Sequence, residues 1–308
     1  MLGAMSLGAA GPHSEPPASG AGSVTGLAEA AGVVLAGGRS SRMGRPKAAL
    51  EWHGSTLLYR TTGLLARTVG GPVLVVAAPG QDLPELPPGV EVVADPVEGL
   101  GPMRGLATGL TALAERAPAA FVCSTDLPFL HPALVRRVLR GFAAPEVDVV
   151  LPVVRGYRQP LAAGYRTSLA GLVEQLLSEG DLRPGMLFRH CRVTRLDDDA
   201  LLADHDLVLH DPGLASLENV NEPEDYAAAL ARPEPEVVVE RFGALASAGQ
   251  RGPRRVRAAS LGAAAAGVGI TLDRYVVAAV NGDQMTRDAY LPLVPGDTVA
   301  FLSADPGG

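Results

Sequence analysis

The sequence predicts an α/β protein whose larger part is a Rossmann-like, mostly parallel sheet with helices on both faces. Short apolar runs alternate with amphipathic helical patterns over the first two thirds of the chain, the succession that parallel sheets require. We predict strands at residues 32–36, 73–78, 90–94, 120–123 and 147–153. We predict helices at residues 57–68, 104–116, 132–142, 168–177 and 222–230. Ligands of such sheets bind beyond the carboxyl ends of the strands, so the loops after Leu35 and Cys123 should face one crevice.

Changes in composition divide the chain into four parts. Residues 1–29 are rich in Gly, Ala, Pro and Ser and lack the pattern of a signal peptide, so they are predicted to be a disordered leader. Residues 30–231 form the α/β domain, and residues 232–236, with two prolines, are typical of a short stiff linker. Residues 237–308 are predicted to form a small α+β domain. Its predicted strands lie at residues 237–239, 275–280 and 298–302, and its helix at residues 258–266.

Charge and cysteine content exclude several classes of function. The 308 residues carry a formal net charge of -7, which disfavours binding to nucleic acid. The two cysteines, Cys123 and Cys191, can form neither a disulfide framework nor a zinc site, and this favours a reducing compartment. No apolar run approaches the roughly 20 residues that cross a bilayer. We therefore expect a cytoplasmic protein with neither nucleic acid nor membrane as a partner.

The strongest local signal is the glycine-rich segment at residues 35–47, which follows the first predicted strand. Its glycines would allow backbone N–H groups to approach a phosphate closely, and Arg39, Arg42 and Arg45 add further donors. Lys47 is the only lysine of the chain, against 25 arginines, and its mobile ammonium suits a triphosphate. The segment is neither a Walker loop nor a GxGxxG turn. We interpret it as a loop that binds the phosphates of a nucleotide.

This segment resembles the signature of the MobA-like nucleotidyltransferases, L-A-G-G-x-S-x-R-M-G-x-x-K, with every fixed position present. The resemblance covers about residues 30–231. Further similar segments lie at residues 95–106, 124–130, 158–163 and 219–225. Three positions differ: Met103 and Arg104 replace the usual Leu-Ala, and Glu222 replaces the usual Thr.

The resemblance implies transfer of a nucleoside monophosphate to molybdopterin or the molybdenum cofactor, with release of pyrophosphate. GTP is the usual donor in this family, and CTP serves a close relative. The implied catalytic residues are Arg39, Lys47 and Asp126. The implied nucleotide-binding residues are Leu35, Ala36, Gly37, Gly38, Arg39, Ser40, Lys47 and Asp95.

The same resemblance implies a magnesium site at the end of the strand before Asp126. Magnesium typically binds one or two protein carboxylates together with phosphate oxygens and water. Asp126 would be the protein ligand and Asn221 a second one, although each residue could instead cap a following helix. Gln159 and Pro160 would lie beside the acceptor substrate, or form only a polar turn before a strand.

The C-terminal domain resembles the molybdopterin synthase small subunit and the thiamine sulfur carriers. Residues 239–245 are similar to their first strand, and residues 280–282 and 294–302 to their later part. These relatives are ubiquitin-like β-grasp domains that end in Gly-Gly, as this chain does at Gly307 and Gly308. The resemblance implies a thiocarboxylate at Gly308, and as partners an E1-like activating enzyme and the large subunit of molybdopterin synthase.

Three other functions remain open at this stage. One is a cytidylyltransferase for the same cofactor. Another is a nucleotidyltransferase for a sugar or polyol phosphate, which is disfavoured because residues 38–42 lack the usual G-x-G-T-R pattern. The last belongs to a different class, a sulfur-carrier protein whose N-terminal domain binds nucleotide without catalysis.

Overall fold

The computed structural model describes residues 29–37, 46–97, 99, 101–247 and 252–303. The predicted leader, apart from its last position, lies outside the described residues, and so do Gly307 and Gly308. Within the described parts of the chain, no helix has both the length and the apolar character that crossing a membrane requires.

Fifteen strands are assigned within the described residues. They are β1 (Ala31–Leu35), β2 (Glu51–Trp52), β3 (Ser55–Thr56), β4 (Val73–Ala77), β5 (Glu91–Ala94), β6 (Ala119–Ser124), β7 (Val149–Val154), β8 (Tyr157–Arg158), β9 (Ala162–Arg166), β10 (Val193–Leu196), β11 (Glu236–Phe242), β12 (Arg254–Arg257), β13 (Val276–Val280), β14 (Gln284–Thr286) and β15 (Thr298–Ser303).

Ten α-helices accompany these strands in the same described residues. They are α1 (Leu57–Ala66), α2 (Gly101–Leu113), α3 (Pro132–Arg140), α4 (Ala170–Ser178), α5 (Pro184–Leu187), α6 (Asp198–Leu202), α7 (His205–His210), α8 (Pro223–Leu230), α9 (Ala244–Ser247) and α10 (Leu261–Gly267). Short 3-10 helices cover Lys47–Ala49, Gly141–Ala143, Thr167–Leu169 and Ala215–Leu217.

The larger sheet has the strand order β10-β7-β9-β6-β1-β4-β5, with β8 paired to β7. Strands β6, β1, β4 and β5 run parallel, while β9 is antiparallel to both of its neighbours. Alternate residues of β1 enter different apolar cores, Val34 on one face and Val33 on the other, because successive side chains of a strand point to opposite faces. Helices α1 and α3 cover the first face, and α2 and α4 the second. The predicted parallel-rich sheet with helices on both faces is confirmed.

The predicted long elements are present, and the differences concern ends and short elements. Helix α2 begins at Gly101 and not at residue 104, because Pro102 fits the first turn of a helix, where its missing N–H is not needed. The hairpin of β2 and β3 and the helices α5 to α7 were not predicted. These elements have two to six residues each, too few to show a hydrophobic period.

The C-terminal residues form a second sheet with the strand order β12-β11-β15-β13-β14. Its first and last long strands, β11 and β15, lie side by side and parallel, and the other pairings are antiparallel. Helix α10 packs Leu261 and Ala265 onto a core that contains Val239 and Phe301. The helix begins later than the predicted residue 258, because Ser260 caps it by accepting from the Ala263 N–H at 3.3 Å.

A buried ion pair joins the larger unit to the C-terminal unit. We call the contact between these two units, which lies along α1, the seam. The Arg67 guanidinium donates to both carboxylate oxygens of Asp297 at 2.8 and 2.5 Å, and these side chains are only 3% and 4% exposed. Burial raises the pKa of Asp297, but the hydrogen bonds and charge of Arg67 outweigh that effect and hold the pKa below its usual range. Arg60, also buried, donates to the carbonyl oxygens of Pro128 and Leu293 at 2.7 and 3.4 Å.

Two histidines complete the seam. The Nδ1 of His131 accepts from the Ala133 N–H at 3.0 Å, so the ring proton is on Nε2, which donates to the Pro295 carbonyl at 3.1 Å. Burial lowers the pKa of His131 below its usual value, which favours this neutral form. Gly296 has a φ of 85°, and a Cβ there would lie 2.2 Å from the His210 ring. Only glycine fits this contact between the two units.

We expect Arg67→Met to lower the free energy of unfolding by about 3–5 kcal/mol, because the Asp297 carboxylate would stay buried without its partner charge. Urea denaturation followed by circular dichroism measures this. The double variant Arg67→Met/Asp297→Asn should lose less than the single variant, since no unpaired charge is then buried. Arg192→Met, which breaks an exposed pair with Asp148, serves as the control and should lower the free energy of unfolding far less. Equal losses in all three variants would contradict the assignment.

Candidate active site

The carboxyl ends of the parallel strands form one edge of the larger sheet. Leu35, the last residue of β1, lies beside Ser124, the last residue of β6. The chain then continues as Ala36 and Gly37, whose N–H groups donate to the Val76 carbonyl at 2.9 and 3.3 Å. Beyond Gly37, the loop residues 38–45 lie outside the described residues. The ends of the first and fourth predicted strands thus meet at one edge, as predicted, and the crevice itself stays a prediction.

Lys47 lies at this edge, at the start of the short 3-10 helix Lys47–Ala49. The segment that follows it is fixed by an apolar cluster in which Leu50, Trp52 and Leu57 pack with Val220 and Ala229. Because Val220 and Ala229 belong to the segment before α8 and to α8 itself, the cluster places two distant parts of the chain side by side. Its effect is to bring the base of the Lys47 side chain close to the residues that follow Val220.

Asp126 lies two residues beyond the end of β6. One carboxylate oxygen, Oδ1, accepts a hydrogen bond from the Ser124 hydroxyl, and the Asp126 carbonyl accepts from the Val220 N–H at 3.0 Å. Asp126 does not cap α3, which is capped by His131. The interpretation of Asp126 as the cap of α3 is therefore wrong, and its predicted role as a metal ligand stays a prediction.

The side chains of Lys47, Asp126 and Asn221 meet at this point. The Lys47 ammonium donates to Asp126 Oδ2 at 3.0 Å and to Asn221 Oδ1 at 2.9 Å. The Lys47 and Asp126 side chains are 19% and 13% exposed, so the ion pair is partly withdrawn from water. Asn221 does not cap α8 with its side chain, because Glu222 occupies the N-cap position and forms a capping box with Asp225.

This arrangement fits a divalent cation that also binds phosphate. The Lys47 ammonium shows that Asp126 Oδ2 and Asn221 Oδ1 can converge on one positive charge, and both are hard oxygen ligands of the kind magnesium prefers. Among the described residues, no group of three or more His, Cys, Asp or Glu side chains could hold a metal alone.

Asp95 follows β5 at the same edge. Its Oδ1 accepts from the Thr108 hydroxyl at 3.2 Å and lies 3.4 Å from Arg104 Nε, a buried nitrogen without a well-aligned hydrogen bond. Arg104 forms its close pair with Glu174 of α4. Burial raises the pKa of the Asp95 carboxyl, while the Thr108 hydrogen bond and the Arg104 charge act in the opposite direction. Arg104 thus joins Asp95, α2 and α4.

Gln159 and Pro160 lie between β8 and β9, next to the end of β6. The Ser124 N–H donates to the carbonyl of the following residue, Leu161, at 3.2 Å, and the Tyr165 hydroxyl donates to the Pro160 carbonyl at 2.7 Å. Because β9 runs antiparallel to β6, its first residues and the last residues of β6 share one edge. The predicted acceptor segment is therefore near Asp126.

The model of the MobA-like NTP transferase domain matches residues 32–193, slightly more than half of the chain. The chain belongs to the MobA-like NTP transferase family. The match covers nearly all of β1, the glycine-rich segment and the strand end that precedes Asp126, and it stops before Asn221 and the whole second sheet.

Several known proteins resemble this MobA-like NTP transferase. A protein of Mycobacterium tuberculosis named "Probable molybdenum cofactor guanylyltransferase" is 44% identical over 160 residues, which cover 51% of this chain and 78% of that protein. A protein of Mycobacterium avium with the same name is 41% identical over 153 residues, covering 49% of this chain and 76% of that one.

A solved structure supports the fold of this family member. The crystal structure of molybdopterin-guanine dinucleotide biosynthesis protein A from Archaeoglobus fulgidus aligns with a TM-score of 0.52, covering 65% of this chain and 96% of that chain. Its sequence identity is 20%, so the likeness concerns the fold alone.

The MobA-like NTP transferase site gathers most of the predicted residues at one edge. Direct contacts join Lys47, Asp126 and Asn221. The other described residues of the prediction lie at the same edge: Leu35, Ala36, Gly37, Asp95, Gln159 and Pro160. Gly38, Arg39 and Ser40 lie outside the described residues, so their predicted roles stay predictions.

Two supporting residues of this MobA-like transferase site were not predicted. Gln81 donates from Nε2 to the Ala36 carbonyl and accepts at Oε1 from the Ala78 N–H, both at 3.0 Å, and so ties the loop entry to the end of β4. Glu174 pairs with Arg104 from a separate helix. Neither residue lies in a motif. The only sequence signal was for Glu174: Arg104 replaces the usual family residue, and a partly buried arginine needs an acidic partner.

We expect Arg104→Met to weaken binding of a nucleoside triphosphate about fivefold, corresponding to ~1 kcal/mol, because Asp95 loses the charge that orients its carboxylate. Isothermal titration calorimetry gives the dissociation constant. Arg116→Met is the matched control, since Arg116 pairs with Glu91 in an exposed position just beyond α2. An unchanged dissociation constant in Arg104→Met would contradict a role for Arg104 in positioning Asp95.

Proposed function

We propose that the protein transfers GMP from GTP to molybdopterin or the molybdenum cofactor and releases pyrophosphate. The observation that carries this proposal is the convergence of Lys47, Asp126 and Asn221 at the carboxyl edge of the sheet. Family membership gives the class of reaction. The names of the mycobacterial relatives give the donor and the acceptor that we propose.

The glycine-rich loop and Lys47 would bind the triphosphate. The entry to the loop is held to the sheet at Gly37, whose N–H donates to the Val76 carbonyl at 3.3 Å. We assign the β- and γ-phosphates to the backbone N–H groups of residues 37–44, to Arg39 and to the Lys47 ammonium. Cationic and N–H donors at these positions would neutralise the charge that develops on the leaving pyrophosphate.

Asp126 and Asn221 would hold magnesium, with Asp126 as its main protein ligand. The chemistry that magnesium supplies when bound is charge neutralisation and alignment of the attacking and leaving oxygens. The hydrogen bond from Ser124 to Oδ1 fixes the rotation of the Asp126 carboxylate. That bond leaves Oδ2, the oxygen now facing Lys47, as the one directed to the crevice.

A general base is not required by this chemistry. The attacking group is a phosphate of molybdopterin, which is already ionised at neutral pH, so the protein contributes mainly by holding the attacker in line with the α-phosphorus. We assign this task to Gln159 and Pro160, and the hydrogen bond between Ser124 and the adjacent Leu161 supports the assignment. Recognition of the base is assigned to the backbone of residues 35–37 and to the region of Asp95.

Pyrophosphate release from each of GTP, CTP, ATP and UTP, with magnesium and molybdopterin or its molybdenum-loaded form, tests the proposal. We expect release with GTP. Lys47→Ala and Asp126→Ala should each lower the rate about a hundredfold or more, the usual effect of removing a group that stabilises the transition state. Asp148→Ala, which removes a carboxylate that pairs with Arg192, is the control and should keep the rate.

Each other outcome of that assay has a definite meaning. Release with CTP alone would keep the mechanism and change the product to that of a cytidylyltransferase. Absence of release with all four nucleotides, from folded protein that binds GTP, would reject the transferase proposal. It would favour the alternative in which the N-terminal domain only binds nucleotide.

We also propose that the C-terminal unit is a ubiquitin-like β-grasp domain and a sulfur carrier. Parallel central strands β11 and β15, with α10 on one face, agree with this fold. Two of the sequence segments that resemble sulfur carriers also meet in space. Asn281 donates from Nδ2 to Asp297 Oδ1 and accepts at Oδ1 from the Thr298 N–H, each at 2.9 Å. The bonds join the turn after β13 to the turn before β15.

Deletion of Gly307 and Gly308 tests the carrier proposal. In cells that lack their own small subunit of molybdopterin synthase, the full chain should restore molybdopterin formation and the deletion should not. Asp126→Ala should restore it as the full chain does, because the carrier step does not use the nucleotide site. Restoration by the deletion variant would show that the terminal glycines carry no sulfur.

A further inference from the structure

The Lys47 ammonium occupies the position that we assign to a divalent cation. It is bonded to Asp126 Oδ2 and Asn221 Oδ1 at 3.0 and 2.9 Å, the two oxygens proposed as protein ligands of magnesium. The other carboxylate oxygen of Asp126 accepts from the Ser124 hydroxyl. Both oxygens of the carboxylate are thus engaged, and the Lys47 ammonium holds an acceptor position on each of the two oxygens that a cation would use.

Charge strengthens this competition. An ammonium and a divalent cation repel each other, and repulsion is stronger in a partly buried site than in water. The Lys47 and Asp126 side chains are mostly withdrawn from solvent, with exposures of 19% and 13%. Simultaneous occupation of Oδ2 by both is therefore unfavourable.

Lys47 is also assigned to the phosphates, so a bound triphosphate competes with Asp126 and Asn221 for the N–H groups of its ammonium. A lysine can exchange partners, because its charge sits at the end of a flexible four-carbon stem, unlike the rigid fork of arginine. A triphosphate carries several negative charges and competes well with a single carboxylate. Lys47 is the only lysine of this chain, so no other lysine can take over either role.

We propose that Lys47 keeps Asp126 and Asn221 closed to a divalent cation until a triphosphate draws the ammonium away. This inference rests on the proposed function, because it uses the same metal and phosphate assignments. It adds an order to the binding steps: the cation reaches its protein ligands with the nucleotide or after it. The protein alone should therefore bind the cation weakly.

The test is binding of Mn²⁺ alone, followed by the electron paramagnetic resonance signal of the free ion, with no nucleotide present. We expect Lys47→Met to bind Mn²⁺ about tenfold to a hundredfold more tightly than the unchanged chain, the range that corresponds to freeing a charged hydrogen-bond partner. Lys47→Gln should give the same direction and guards against a folding defect of the first variant. Equal affinity in the variants and the unchanged chain would overturn the proposal.

Two further variants show whether tighter Mn²⁺ binding comes from loss of Lys47 itself or from loss of any positive charge, and whether the ion binds at Asp126. Arg136→Met removes the same charge from a half-exposed pair with Asp206 and should leave the affinity within about twofold at physiological salt, where distant charges are screened. An increase equal to that of Lys47→Met would mean a general charge effect and overturn the proposal. Lys47→Met/Asp126→Asn should lose the gain; if the gain persists, the cation binds elsewhere and the metal assignment fails as well.

The single lysine allows a direct view of its release. Protein labelled with ¹³C-lysine gives one lysine side-chain signal, and GTP added with a chelator should shift it, while Mg²⁺ alone should not. A signal that GTP leaves unchanged, although calorimetry shows GTP bound, would overturn the release step. A failure of the proposed transferase function can be told apart from a failure of this inference. In that case the Mn²⁺ and lysine-signal experiments both give the expected results, but no pyrophosphate is released.

Discussion

The parallel alignment of β6, β1, β4 and β5 is the constraint on which the site depends. It directs the carboxyl ends of these strands to one edge, so residues that are far apart in sequence must meet there. Asp126 and Lys47 are 79 positions apart, and Lys47 and Asn221 are 174 apart, yet each pair is within hydrogen-bonding distance. The sheet fixes Asp126, and the apolar cluster around Trp52 fixes the other two.

The parts of this arrangement that could be predicted were those with a strong pattern. The central strands are short runs of buried apolar residues. Asp126 follows one of them, at a strand end where a carboxylate points to function rather than to core packing. Lys47 was marked by being the only lysine. The contact between Lys47 and Asp126 could not be predicted, because it depends on how the segment after Lys47 packs against α8.

Other features left no pattern for a prediction to use. The cap of α3 is His131, a residue that is not among the usual capping types, and its second nitrogen is committed to the seam. Gln81 acts through bonds to two backbone groups, which any turn residue of suitable length could make. The seam itself depends on Arg67 and Asp297, which are 230 positions apart. Neither residue lies in a sequence motif, so the sequence does not indicate that the two side chains are buried together.

The seam has a geometric consequence for the far end of the chain. Asp297, which Arg67 holds, immediately precedes β15, and this strand then continues to Ser303. Six residues of strand span about 20 Å, so the chain leaves β15 roughly that far from the buried ion pair. Arg67 therefore anchors the start of β15 to the larger unit, while the end of this strand at Ser303 lies away from that contact.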